Sequence, residues 1–227
     1  GVAQLTSLVY YLYIYLSKKS FIMLRICRMK PVFSVIWKIV SVGVSNLMIT
    51  LGTSMSIVFM NRMLLLFGGD MAVAAYGIVN RLIILAVMPG VATGQGLQPI
   101  VGFNYGTKRF DRALRSIKTG LLVVAAVGVF VMLAFMLFSE IIMSIFTSDP
   151  ALISESAYAA RIVFSTVILQ GITIVCVFVF QALGKALQAF VITIRPLIFH
   201  LPLVIILPQF FKLDGVYASY PVNEFLA

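Results

Sequence analysis

Polar side chains that could hydrogen-bond a ligand recur at helical spacing in two apolar stretches of the sequence. Their members are Asn46, Thr50 and Thr53 in the first stretch, and Gln170, Thr173 and Gln181 in the second. At 100° per residue each set lies on one side of a helix, and the members of the second set lie within about 80° of one another around the helix axis. Amide and hydroxyl groups donate and accept hydrogen bonds. Each set therefore predicts either hydrogen bonds between helices or a polar cavity wall, and for the two sets together we favour the cavity.

Residues for covalent or metal-dependent chemistry do not form a recognisable pattern. The single histidine, His200, lies in an apolar stretch, and Cys27 and Cys176 lie in different segments without the spacing of metal ligands. The sequence has no glycine-rich phosphate loop ending in Lys and Ser or Thr, so nothing indicates ATP as an energy source. We therefore expect no catalytic residue, no metal site and no cofactor, and the sequence does not favour an enzyme.

The composition indicates which elements must position these side chains. Hydrophobic residues make up 62% of the chain and charged residues 11%, and the mean hydropathy is +1.10, far outside the range of soluble domains. Several stretches lack acidic and basic residues and reach the roughly 20 residues that a membrane-spanning helix needs. They are 39–60, 82–107, 119–139 and 162–184. Such unbroken runs exclude alternating porin-like strands. We predict an all-α, polytopic membrane helix bundle in a cell membrane, which we expect to be a prokaryotic plasma membrane.

Six helices and the beginning of a seventh are predicted. They cover about 1–16, 32–66, 71–94, 112–138, 152–183 and 187–210, with a last helix that begins at 213. The chain opens inside an apolar run whose positive charges follow it, which is unlike a signal peptide. It also stops soon after its last helix begins. We therefore expect a piece of a longer protein.

The charged residues alternate in sign from one connecting loop to the next. Basic residues dominate the first and third connections: Lys18, Lys19, Arg25, Arg28 and Lys30, then Lys108, Arg109, Arg112, Arg115 and Lys118. The second, fourth and sixth connections hold Asp70, Asp149, Glu155 and Asp214, with only one Lys. By the positive-inside rule the basic loops face the cytoplasm, where they are predicted to contact anionic membrane lipids. This rule explains the net charge of +10 without a nucleic-acid partner.

One charged residue is predicted to lie deep in the membrane. Arg81 follows Asp70 by eleven positions, which is about 16 Å along a helix. A charge at that depth costs about 3 kcal/mol or more and is normally retained for a partner or a transport pathway. We expect Arg81 to pair with backbone carbonyls near Pro89, to pair with a carboxylate outside this chain, or to line the cavity.

Glycine and proline cluster in the third predicted helix, in the stretch VMPGVATGQGLQPIVGFNYG. The members of the cluster that we consider are Pro89, Gly90, Gly94, Gly96 and Pro99. Proline removes a helical hydrogen bond, and glycine permits a close approach of backbones. The cluster predicts either tight packing against a neighbouring helix or a hinge that gates a cavity.

Three motifs in order, GGDMAVAAYGIVNR, GLQPIVGFNYGTKRFDR and FQALGK, resemble the second half of a multidrug and toxic compound extrusion (MATE) transporter. The resemblance implies twelve helices in two six-helix lobes. Residues 1–19 would then end helix 6, 20–31 would form a basic cytoplasmic loop, and 32–227 would form the C-terminal lobe, with helices 7 to 11 and the start of helix 12. It also implies antiport of amphipathic or cationic compounds against H⁺ or Na⁺, with an N-terminal lobe as partner.

Ion coupling usually requires a carboxylate inside the membrane, and no predicted span contains one. Glu224 is assigned to the incomplete last segment and the other carboxylates to loops or helix ends. The chain lacks the glutamate in helix 7 or aspartate in helix 10 of some MATE branches. It is therefore more similar to the DinF-like branch, which implies a coupling aspartate on helix 1 and hence in the N-terminal lobe. The alternatives are a flippase for lipid-linked precursors from the same broad superfamily and a membrane module that does not transport.

Overall fold

The computed structural model describes residues 2–16 and 33–226, so the predicted basic loop at 20–31 lies outside the described residues. Those residues form α-helices, one π-helical segment and no strand. The elements are α1 (Val2–Leu16), α2 (Phe33–Gly106), α3 (Phe110–Ser144), α4 (Pro150–Phe164), α5 (Val167–Ala182), α6 (Ala186–Arg195), the π-helical segment (Pro196–His200) and α7 (Leu201–Phe225). Two compact units are present, residues 1–46 and 47–227. The first contains α1, whose tyrosines Tyr10, Tyr11 and Tyr13 are exposed.

Within the second unit, α2 consists of two arms that meet at Gly69. This glycine has φ 69° and ψ −165°, a conformation that glycine adopts without a Cβ penalty. A continuous helix would hold Met60 and Val79 about 28 Å apart, yet both are fully buried in one hydrophobic cluster. The chain therefore reverses at Gly69, as the predicted break between residues 66 and 71 requires.

A second reversal divides α7 at Lys212, where φ is 51° and ψ is −130°. Ser219 and His200 are 19 positions apart in sequence, about 28 Å in a continuous helix. Their Oγ and Nε2 atoms are nevertheless 3.4 Å apart. The arm that follows Lys212 therefore runs back along the arm that precedes it, in agreement with the predicted helix start at 213.

The prediction of one helix over 152–183 is wrong. The structure has α4 and α5 in its place, with a bend of 49° between them. The Ser165 hydroxyl donates to the carbonyl of Ile162 at 2.6 Å, and such local bonds compete with the helical ladder and bend helices. The bend changes the direction of α5 and hence the position of Gln170 and Thr173.

The helix predicted over 112–138 ends where the helical backbone of α3 is interrupted, at Phe138, whose φ is −124° and ψ is 21°; a short second arm then continues to Ser144. The short second arm begins with the polar pair Ser139 and Glu140, which contact α4. Arg161 donates from Nε to the Ser139 hydroxyl at 2.8 Å and lies 3.4 Å from the Glu140 carboxylate. The predicted helix end at 138 therefore coincides with the break at Phe138, and the contacts of Ser139 and Glu140 hold the short arm after it against α4.

The core of the second unit is formed by α2, α3, α4, α5 and α7. The rings of Phe135 and Phe164 stack with centroids 3.8 Å apart, which joins α3 to α4. Large apolar side chains such as Phe130, Leu137 and Phe210 remain exposed on the outside. Among the described residues, three helical stretches are long and apolar enough to span a membrane, or four if α4 and α5 form one bent span. The exposed apolar surface suits contact with lipid.

The predicted acidic loops lie together at one end of the second unit. Tyr158 of α4 donates its hydroxyl to Asp214 at 2.9 Å, and Tyr217 of α7 donates to Glu155 at 2.8 Å. The basic residues Lys108 and Arg109 instead follow the far end of α2 and are exposed. The two signs of charge are therefore separated along the helices. Which end faces the cytoplasm remains a prediction.

Candidate functional site

A cavity of about 290 Å³ lies among the helices of the second unit; most of its lining residues carry a polar group, although much of the surface that they expose to it is apolar. Its described lining residues are Ser56, Ile57, Asn80, Gln170, Thr173, Ile174, His200, Tyr220, Asn223 and Glu224. A volume of this size is at the lower end of the range of small-molecule sites. Because every lining group belongs to a helix arm, the reversals of the chain determine the composition of the wall.

The first wall comes from the two arms of α2. Ser56 precedes the break at Gly69 and Asn80 follows it. In a continuous helix these residues would be about 36 Å apart. The reversal brings them to one cavity, where Ser56 is buried and Asn80 is partly buried.

The second wall comes from α5, where Gln170 and Thr173 are spaced i, i+3 and so share a helix face. Gly171 lies between them in sequence, where a Cβ would overlap Val124 of α3, and it faces Gly90 of α2. A Cβ placed on Gly90 of α2 would lie 3.4 Å from the backbone of Gly171. Gly90 thus lets α5, with its polar face, lie close to α2.

The third wall joins the π-helical segment to the last arm of α7. His200 is only 5% exposed, and its ring lies 4.7 Å from that of Tyr220, centroid to centroid. The hydroxyl groups of Tyr220 and Tyr76 are in hydrogen-bond contact. This aromatic contact links α7 to the second arm of α2 and holds the ring of Tyr220 at the cavity wall.

Two buried polar residues complete this wall, Asn223 at 4% and Glu224 at 8% exposure. The Oδ1 atom of Asn223 is buried and has no hydrogen-bond partner among the described residues. A buried acceptor of this kind costs about 1–3 kcal/mol unless a ligand or water satisfies it. Glu224, which the sequence analysis assigned to the incomplete last segment, lies on the cavity wall because the reversal at Lys212 turns its helix arm inward.

Of the cavity residues proposed from the sequence, some lie on the cavity wall, some lie away from it, and some lie outside the described part of the structure. Gln170 and Thr173 lie side by side on the wall. Gln181 lies about 16 Å further along α5, where it is exposed and accepts a hydrogen bond from Gln98 at 3.3 Å. Arg81 is exposed and is not among the described lining residues. The side chains of Asn46, Thr50 and Thr53 lie outside the described part of the structure.

The glycine and proline cluster does not break α2, which remains helical through Pro89 and Pro99. Two of its glycines are sites of close packing, Gly90 against Gly171 and Gly94 against Phe178. A Cβ on Gly94 would overlap the Phe178 ring, whereas a Cβ on Gly96 would meet nothing within 4 Å. The packing interpretation accounts for Gly90 and Gly94, and the hinge stays a prediction.

Sequence reasoning missed most of the third wall. His200, Tyr220 and Asn223 come together only through the π-helical segment and the reversal at Lys212, and neither is visible as a periodic pattern. One signal was present: Tyr220, Asn223 and Glu224 follow the spacing i, i+3, i+4 of a single helix face.

A cavity with polar groups inside a bundle of apolar, membrane-length helices agrees with the comparison of the chain with known families. The sequence profile of the MatE family matches residues 34–206, about three quarters of the sequence. The chain belongs to the MatE family. The resemblance to MATE transporters, the all-α membrane bundle and the multi-pass membrane location are thereby confirmed.

Curated relatives of this MatE family member are multidrug export proteins. MepA of Staphylococcus aureus strain MRSA252 is 20% identical over 226 residues, which are all of this chain and 50% of the relative. MepA of Staphylococcus haemolyticus strain JCSC1435 is 22% identical over 212 residues, which are 93% of this chain and 46% of the relative. The chain spans about half the length of the curated relatives it matches.

Solved structures of the family have the same fold. The MATE multidrug transporter DinF-BH is 33% identical, with a TM-score of 0.82 over 99% of this chain and 51% of that protein. This identity agrees with the predicted DinF-like branch. A MATE family transporter of the MOP superfamily in an outward-facing conformation gives a TM-score of 0.84 at 17% identity. The match covers 99% of this chain and 51% of that transporter. The chain thus matches one half of a MATE transporter.

Proposed function

We propose that the protein is a secondary active exporter of cationic or amphipathic compounds, driven by the inward movement of H⁺ or Na⁺. Membership of the MatE family gives the class of protein, and the observation that carries the substrate preference is the charge of the cavity. Its described wall contains one carboxylate, Glu224, and no Lys or Arg. A buried negative charge is stabilised by a cation in the same low-dielectric space.

The rest of the wall suits ligands with both polar and apolar parts. Ile57 and Ile174 lie among hydroxyl and amide groups, and a few placed polar groups in an apolar setting are typical of small-molecule sites. We also propose that an N-terminal lobe completes the cavity, with this chain as the C-terminal half. Gln181, Arg81, Asn46, Thr50 and Thr53 would then face that lobe, and the Pro89–Pro99 region would gate access.

A flippase for lipid-linked precursors is not favoured. A pyrophosphate head group requires a strongly basic cavity, and neither Arg81 nor Arg161 is among the described lining residues. The side chain of Arg195 lies outside the described part.

The proposal is tested with the protein encoded by the complete open reading frame, purified and reconstituted in liposomes. Benzyltrimethylammonium is the probe because its charge does not change with pH. We expect accumulation that follows an imposed proton or sodium gradient and stops when an ionophore collapses that gradient. Residues 1–227 alone, reconstituted in parallel, should give no such movement, since they form only part of the proposed cavity. Equal movement with and without a gradient by the folded complete protein would refute antiport.

A further inference from the structure

A groove lies between the second arm of α2 and the first turns of α3, at the basic end of the second unit. It has a volume of about 450 Å³, and its described lining residues are Thr93, Gly96, Leu97, Ile100, Arg115, Ser116, Thr119 and Gly120. Neither the family match nor the proposed function assigns it a role. We propose that the groove binds one anionic phospholipid, with the lipid phosphate at the arginines of α3 and one acyl chain along α2.

The groove lies on the opposite side of α2 from the polar cavity. α2 stays helical from Asn80, which lines the cavity, to Gly96 and Ile100, which line the groove. At 100° per residue, Gly96 and Ile100 are each about 160° around the helix axis from Asn80. The proposed N-terminal lobe would complete the cavity and would therefore lie on the side of Asn80. With the lobe in that place, which rests on the proposed function, the groove faces the membrane.

The part of the groove on α2 suits a hydrocarbon chain. A Cβ placed on Gly96 would meet nothing within 4 Å, so the missing side chain leaves open space beside Ile100, which is 48% exposed. Most of the surface that the groove exposes is apolar. From Ile100 to Thr93 it extends about 10 Å along the helix. An apolar slot of this length in a membrane-spanning helix pair is suited to contact with an acyl chain.

The part of the groove on α3 supplies positive charge. Arg112, Arg115 and Thr119 follow the spacing i, i+3, i+7, so Arg112 shares the face of α3 that lines the groove. The Ser116 and Thr119 hydroxyls each donate to a backbone carbonyl four residues earlier, at 2.9 and 3.0 Å. The guanidinium groups are therefore the donors that this face offers to an anion, and their planar fork matches the geometry of a phosphate.

The depth of the two arginines matches the level of lipid phosphates. The stretch of α3 without charged residues, 119–139, is about 31 Å long, which is close to the thickness of the hydrocarbon core. Arg115 precedes this stretch by about 6 Å along the helix and Arg112 by about 10 Å. Arginine side chains at such positions reach the head groups. The groove thus continues from the phosphate level into the hydrocarbon core.

A phospholipid fits both parts of the groove, whereas a free phosphate would use only the arginines. The basic residues around the start of α3 outnumber the acidic ones by five to one, which favours a lipid with net negative charge. They are Lys108, Arg109, Arg112, Arg115 and Lys118, against Asp111. A lipid seated in this way differs from the general lipid contact that the charge pattern predicts, because its head group and its chain are both held.

The test is a titration of the complete, delipidated protein in detergent with phosphatidylglycerol and with phosphatidylcholine of the same acyl chains, followed by native mass spectrometry. We expect one phosphatidylglycerol to bind more tightly than phosphatidylcholine. Arg115→Gln should weaken phosphatidylglycerol about fivefold. Arg62→Gln removes the same charge from an exposed position on the first arm of α2 and should bind like the wild type.

A second pair of variants tests the acyl-chain slot without a change of charge. Gly96→Leu places a side chain in the open space of the groove and should abolish the tightly bound lipid. Gly77→Leu is the matched control, because a Cβ on Gly77 also meets nothing within 4 Å and the residue lies in the same arm, about 28 Å away. It should bind phosphatidylglycerol like the wild type.

Several results would overturn the proposal. They are equal affinity of the wild type for the two lipids, wild-type affinity in Arg115→Gln, and wild-type affinity in Gly96→Leu. Displacement of phosphatidylglycerol by millimolar inorganic phosphate, with no effect of Gly96→Leu, would assign the arginines to a free anion instead.

A photoreactive lipid locates the site in the wild type, so it decides even if a variant does not fold. Phosphatidylglycerol with a diazirine in one acyl chain should crosslink to the segments 93–100 and 115–120. Crosslinks at other positions and none in these segments would overturn the site, as expected if another part of the complete protein covers the groove.

Lipid binding and transport can fail separately. Phosphatidylglycerol bound in the groove of a protein that does not transport would retain the lipid site and remove the export function. Gradient-driven transport by a protein that binds no lipid in the groove would remove only the lipid site.

Discussion

Replacement of Gly94 by Ala, compared with the same change at Gly96, tests whether the glycine cluster of α2 is a packing surface. Both residues lie in the same helical arm, so both variants gain the same helix propensity, about 0.5–1 kcal/mol. A Cβ on Gly94 would overlap the ring of Phe178 close to its attachment to the backbone, and a Cβ on Gly96 would meet nothing within 4 Å. Overpacking costs about 1–3 kcal/mol. Gly94→Ala should therefore be about 1–3 kcal/mol less stable than Gly96→Ala.

The assay is thermal unfolding of the complete protein in mild detergent, with wild type and both variants at one protein concentration. We expect the order of stability Gly96→Ala, then wild type, then Gly94→Ala. Transport by Gly96→Ala should equal that of wild type. Equal stability of the two variants would refute the packing argument, and a stable Gly96→Ala protein that no longer transports would favour the hinge.

Three further predictions concern the cavity and the topology. Tyr76→Phe should cost about 1–3 kcal/mol in unfolding free energy, and the double variant with Tyr220→Phe should cost less than the sum of the single variants, as a double-mutant cycle measures. Asn223→Ala should weaken binding of benzylammonium, which has N–H donors, but not of benzyltrimethylammonium; equal weakening of both would contradict a hydrogen bond to Oδ1. Single cysteines at Thr107 and Ser148, in a cysteine-free background, should react with impermeant reagents from opposite sides, and labelling of both from outside would refute the predicted orientation.

The sequence predicted the elements well where local chemistry marks their ends. The reversal at Gly69 lies within the sequence Gly68-Gly69-Asp70, and Asp214 and Gly215 come soon after the break at Lys212. Both breaks are therefore recognisable from their residue types. The bend between α4 and α5 was missed because Ser165 and Thr166 lie in an otherwise apolar run. At the bend the Ser165 hydroxyl bonds to the carbonyl of Ile162, a contact that periodicity cannot reveal.

The cavity was predictable only in part. The face formed by Gln170 and Thr173 belongs to one helix, so its spacing is visible in the sequence. The positions of His200 and Glu224 depend on two arms of α7 that lie side by side, and that contact joins residues far apart in sequence. From the sequence alone, Glu224 is therefore assigned to the incomplete last segment, and its place on the cavity wall follows only from the reversal at Lys212.

The most direct test of a cation site in this cavity is an experimental structure of the complete protein with a bromine-labelled ligand, 4-bromobenzyltrimethylammonium, located by the anomalous signal of bromine. The account predicts an anomalous peak in the cavity between α5 and the last arm of α7, with the ammonium group beside Glu224. The same crystals of Glu224→Gln should show a weaker peak. A strong peak elsewhere and none in this cavity would contradict the account.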